Sequence, residues 1–154
     1  LSLYKVTGEL VSQRVIPLEL AEYEAKILET IPLAELTDTP NEEFLYLEFS
    51  DGKNTFTNEC FLAKYKTYQL PQARITHKFY LDEHGQIHLE LTSDKPAFYV
   101  FAELRGMQAT FSDNSFTLLP GTVRDLVLTA GKNIPLEEME KLLTVKHLRN
   151  SYTE

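Results

Sequence analysis

Along this chain the dominant hydrophobic period is two. Leu45, Leu47 and Phe49 alternate with Phe44, Tyr46 and Glu48, and Ile75, Phe79 and Leu81 alternate with Thr76, Lys78 and Tyr80. Ile87, Leu89 and Leu91 alternate with His88 and Glu90, while Phe98, Val100, Ala102 and Leu104 alternate with Tyr99, Phe101, Glu103 and Arg105. Side chains on a strand point alternately to its two faces, so each run predicts a strand with one buried face. Turn-forming clusters separate the runs: Thr7-Gly8-Glu9, Asp51-Gly52-Lys53, Asp82-Glu83-His84-Gly85, Ser93-Asp94-Lys95-Pro96 and Ser112-Asp113-Asn114. Short strands punctuated in this way predict an all-β fold of antiparallel β-sandwich modules.

Two stretches depart from the strand period. Residues 32–36 fit one helical turn. Residues 135–143 predict a short helix near the C-terminus, with Pro135 at its first position and Glu137 and Glu138 at its positive end. Leu136, Met139, Leu142 and Leu143 share one face of it, and residues 144–148 fit a returning last strand. Between 64 and 72 the alternation breaks and a proline follows at Pro71. This predicts two modules, 1–65 and 66–154. The first holds about five strands, fewer than a seven-stranded sandwich needs, so its N-terminal strands are expected to lie upstream. The start at Leu1, already in a strand pattern, fits a cut or processed chain.

Composition narrows the class. The chain has 154 residues, of which 43% are hydrophobic, enough for a true core. The net charge is −8 and no Lys/Arg-rich run occurs, which argues against a nucleic-acid partner. The single cysteine, Cys60, excludes an internal disulfide. No stretch approaches the roughly 20 apolar residues of a membrane helix, so no membrane partner is expected.

Candidate chemistry is sparse. If Ile75, Phe79 and Leu81 face the core, His77 faces it too and His88 points the opposite way, so the two imidazoles cannot share a metal. Cys60 sits in a strand pattern and reads as a small apolar filler. Glycoside hydrolysis needs two carboxylates about 5–9 Å apart. The adjacent pairs Glu42-Glu43, Asp82-Glu83 and Glu137-Glu138 lie instead on turns and a helix start. No catalytic residue, metal or cofactor is expected. Tyr99 and Phe101 are expected on the outer face of their strand, with Tyr80 pointing the same way. These three rings are the candidate contact for a sugar or a neighbouring domain.

Residues 111–121 read FSDNSFTLLPG. By itself the run predicts a structural corner, because Asp113 and Asn114 suit a tight turn and Phe111, Phe116 and Leu118 anchor its arms. It also resembles the F-S-D-N-x-F-x-L-L-P-G signature near the C-terminus of the β-mannosidases of glycoside hydrolase family 2. Thr57-Asn58-Glu59-Cys60-Phe61-Leu62, followed by Leu70-Pro71, is similar to the end of the immunoglobulin-like module that precedes the last domain there. Ser115 departs from the pattern, since relatives often carry an aromatic there, and a less tightly packed corner is expected.

The resemblance implies immunoglobulin-like sandwiches and a non-catalytic accessory role, bracing an upstream catalytic barrel and other domains of the same parent chain. It implies a retaining β-mannosidase as that parent, acting in carbohydrate metabolism in a periplasmic, secreted or lysosomal setting. Its catalytic glutamates belong to the barrel, so none carries over. The alternative is a carbohydrate-binding module that meets a glycan through Tyr80, Tyr99 and Phe101.

Overall fold

The computed structural model describes residues 1–131 and 134–152. The chain divides into two compact units, Leu1–Gln69 and Leu70–Glu154. The boundary lies within the 64–72 break in alternation, four residues after the division at 65/66. The reason is local: the Tyr68 hydroxyl accepts the backbone N–H groups of Leu62 and Ala63 and donates toward the carbonyls of Pro40 and Glu43. That phenol ties 62–68 to the first unit.

The first unit is one antiparallel sheet, in the order β2 (Leu10–Gln13), β1 (Ser2–Lys5), β3 (Glu43–Ser50), β4 (Thr55–Phe61). It has four strands rather than about five, because the only regular element between β2 and β3 is the single turn α1 (Leu33–Leu36). Its buried hydrophobic side chains are only four: Leu3, Val6, Phe44 and Tyr68. Thirteen of its large hydrophobics are exposed, so this unit buries little of its apolar surface.

The second unit is a sandwich. One sheet has the order β5 (Ile75–Leu81), β6 (Ile87–Ser93), β10 (Arg124–Ala130), β8 (Ala109–Phe111). The other has the order β11 (Leu143–Lys146), β7 (Ala97–Leu104), β9 (Phe116–Leu118). Phe79, Leu89, Leu91, Leu126 and Leu128 from the first sheet pack with Ala97, Val100, Ala102, Leu104, Phe116 and Leu118 from the second. The helix α2 (Leu136–Leu142) adds a fully buried Met139 to this core, with Leu136 and Leu142 beside it.

Alternation holds on β6 and at Ile75 and Phe79 of β5, but Leu81, expected in the core, ends β5 at 55% exposure, and the pattern shifts on β7. Tyr99 has φ +52°, and pairing with β9 jumps between Ala97 and Val100. The bulge places both Ala97 and Val100 in the core cluster, while Phe98 is buried outside it. A strict period of two had put Phe98 in the core with Val100, and the inserted residue is what undoes that. The β5–β6 turn forms as its residues require: Asp82 Oδ1 accepts the backbone N–H of His84 and Gln86, and Gly85 takes φ +77°.

Candidate functional site

The FSDN run builds a corner of the sandwich. β9 pairs with β7 at Ala97 and Val100, which leaves Ala102 without a strand partner on that side. Asn114 takes the place of one. Its Oδ1 accepts the Ala102 N–H at 2.8 Å and its Nδ2 donates to the Ala102 carbonyl at 2.9 Å. Asparagine is suited to this because a single amide both accepts and donates, as a peptide group does. Asp113 forms an ion pair with Arg124, whose guanidinium lies 5.1 Å from the Phe116 ring centroid. Ser112 Oγ accepts the Val127 N–H, and the Ser115 N–H donates to the Val100 carbonyl. Ser115 is exposed and takes φ +63°.

The three candidate rings do not form one patch. Tyr80 is on β5, whereas Tyr99 and Phe101 are on β7 in the other sheet. Tyr80 shares the outward face of its sheet with His88 and Asp125, and the Tyr80 and His88 rings stack at 4.9 Å. The Tyr80 hydroxyl donates to Asp125 Oδ1 at 3.2 Å, and His88 Nδ1 lies 2.7 Å from Asp125 Oδ2. Desolvation first, and the hydrogen bond to Asp125 second, push the Tyr80 phenol above its ordinary pKa. Tyr80 is therefore a member of a polar cluster, one ring face already taken by His88. Tyr99 is half-buried, and Phe101 is the most open of the three at 43%.

The histidines go to four separate places. His77, on the core-side face of β5, meets Glu140 of α2 at 2.8 Å. His84 stands on the exposed turn, four residues before His88, with its Nε2 3.5 Å from Glu83 Oε1. His147 is buried; its side chain accepts the Asn150 backbone N–H and is hydrogen-bonded to the Ala73 backbone. Burial is the main reason its pKa falls below the usual value, and the nearby Arg149 adds to this. No group of three His, Cys, Asp or Glu side chains suited to a metal occurs among the described residues.

Cys60 is exposed on β4, not the buried filler its strand pattern suggested. It falls on the sheet face that carries Leu47 and Phe49, which is open to solvent in this chain. Glu43 differs from its neighbour Glu42: it is buried and accepts a hydrogen bond from Thr37. Sequence pattern had not separated the two.

Two clefts open on the second unit. One, of about 280 Å³, is lined by Gln72, Ile75, His77, Val145, His147 and Asn150. The other, of about 360 Å³, is lined by Phe101, Glu103, Met107, Thr110, Phe111 and Asn114. Between them the described lining holds one carboxylate, Glu103, so neither presents the pair that glycosidic cleavage uses.

An antiparallel sandwich closed by an asparagine-pinned corner defines a module of the immunoglobulin type. Residues 69–151 match the Ig-fold domain of mannosidases, and the chain belongs to that family. In three dimensions it is similar to the crystal structure of a β-D-mannosidase from Dictyoglomus thermophilum, with a TM-score of 0.78 and 23% identity. That similarity covers 95% of this chain and 18% of the mannosidase chain, so this chain spans under a fifth of that protein's length. No curated protein sequence matches it.

Proposed function

We propose that the chain is an accessory, non-catalytic region of a β-mannosidase-type glycoside hydrolase and supports a catalytic barrel in the same polypeptide. The observation that carries this reading is the family membership of residues 69–151, together with an overall likeness that occupies a small share of a mannosidase chain. A glycan platform built from Tyr80, Tyr99 and Phe101 finds less support, because the rings are divided between two sheets.

The test compares the chain with its parent. The isolated chain is expected not to hydrolyse an aryl β-mannoside, whereas a parent that carries it does. Removing residues 1–154 from the parent is expected to lower its melting temperature. Turnover by the isolated chain, or an undisturbed parent after deletion, counts against the proposal.

A further inference from the structure

The outward face of the β5–β6–β10 sheet holds one histidine between two carboxylates from different elements. His88 on β6 places Nδ1 2.7 Å from Asp125 Oδ2 on β10 and Nε2 3.7 Å from Asp82 Oδ2 at the β5–β6 turn. Its side chain is only 14% exposed, and the Tyr80 ring stacks on it. Nε2 is buried and makes no hydrogen bond among the described residues. Asp82 organises the turn itself. Its Oδ1 accepts the His84 and Gln86 N–H groups, and its carbonyl accepts the Gly85 N–H.

The two ring nitrogens have different requirements. An ionised carboxylate only accepts, so the short contact to Asp125 puts the hydrogen of a neutral ring on Nδ1. Nε2 of that ring is then a lone pair facing the second carboxylate, acceptor against acceptor. Protonation turns Nε2 into a donor and gives each nitrogen an anionic partner. At 3.7 Å the Asp82 contact is within ion-pair reach but longer than a hydrogen bond, so a small movement of the turn closes it. The surrounding charges favour the same state. Glu90 shares the outward face of β6 and Glu83 stands on the turn, with Lys78 of β5 and the exposed His84 as the basic groups nearby. Tyr80 contributes no charge, because desolvation first, and then Asp125, Glu90 and Asp82, hold its phenol above the ordinary pKa.

We propose that His88 is a proton-operated clasp. As an imidazolium it ties the β5–β6 turn to β10 through Asp82 and Asp125, and as a neutral ring it releases the turn. The sign follows from which form makes the bond. An ordinary histidine is protonated below about pH 6.5, so the clasp is closed on the acid side and opens as pH rises through that region. The effect is local to the turn. It runs opposite to that of His147, whose burial favours the neutral ring.

Amide hydrogen exchange at His84, Gly85 and Gln86 tests it, with each rate corrected for the intrinsic pH dependence of exchange and read against the core amides of Leu89 and Leu126. Between about pH 8 and about pH 5.5, protection of the turn is expected to rise about threefold or more. His88→Phe keeps a ring against Tyr80 and is expected to abolish the rise. His84→Gln removes the other titrating ring on the turn and is expected to leave it intact. Asp82→Asn is the sharpest variant. Its Oδ1 still accepts the turn N–H groups while its Nδ2 donates to a neutral Nε2, so the trend is expected to reverse. A flat profile in the native chain overturns the proposal. So does a rise that survives His88→Phe or vanishes in His84→Gln, and so does one left unchanged by Asp82→Asn, which assigns it to Asp125 alone. Ring ¹⁵N shifts of His88 in the native chain give a second reading: the neutral ring is expected to carry its hydrogen on Nδ1, and a hydrogen on Nε2 counts against the clasp.

Discussion

Tyr68 concentrates four backbone hydrogen-bond contacts on one phenol, at Leu62, Ala63, Pro40 and Glu43. Tyr68→Phe keeps the ring but orphans buried partners, and is expected to destabilise the first unit by about 1–3 kcal/mol in urea unfolding. Asn114→Asp is a sharper change. A carboxylate can still accept the Ala102 N–H but cannot donate to the Ala102 carbonyl, which it then faces at close range. A loss of about 1–3 kcal/mol is expected for the second unit, and Asn114→Gln should not rescue it because the longer arm misplaces the amide. His147 sets a pH dependence. Its folded pKa lies below the ordinary 6.5, so the unfolded chain binds more protons between the two values and stability rises with pH there. The contribution is complete above about pH 6.5 and is lost as pH falls through that value toward the folded pKa. Urea midpoints measured across this window should show a shallower slope in His147→Gln.

At the scale of elements, α2 is short and held by packing. Seven residues are too few for a helix to persist on propensity alone. Pro135 leads it in, Glu137 and Glu138 occupy its first turn, and Met139 is fully buried in the sandwich core. Met139→Ala is expected to cost about 2–5 kcal/mol, read by thermal or chemical unfolding, because the cavity faces strands that cannot collapse into it. Glu138→Gln, on the exposed side, should change stability by less than about 1 kcal/mol. The helix was legible because its apolar residues recur at helical spacing. The β7 bulge was not: nothing in an alternating run marks Tyr99 for φ +52°, and only pairing with β9 requires it.

Across the whole molecule, the two units differ in how much core they own. Among the described residues, sixteen buried hydrophobics belong to the second unit and four to the first. Residues 70–154 are therefore expected to fold alone, with dispersed amide NMR signals and one cooperative urea transition. Residues 1–69 alone should give neither, since four buried side chains do not offset the entropy of ordering a four-stranded sheet.

By itself the sequence determined the main strand runs, the two short helices, the opposed directions of His77 and His88, and the corner at residues 111–121. These follow from local rules: the period of two, turn chemistry and helical spacing. Tertiary structure alone decided which strands share a sheet, and so separated Tyr80 from Tyr99 and Phe101. It also brought Tyr80, His88 and Asp125 together, exposed Cys60 and buried Glu43. Such outcomes depend on partners distant in the chain, and a local pattern carries no record of which strand will lie alongside.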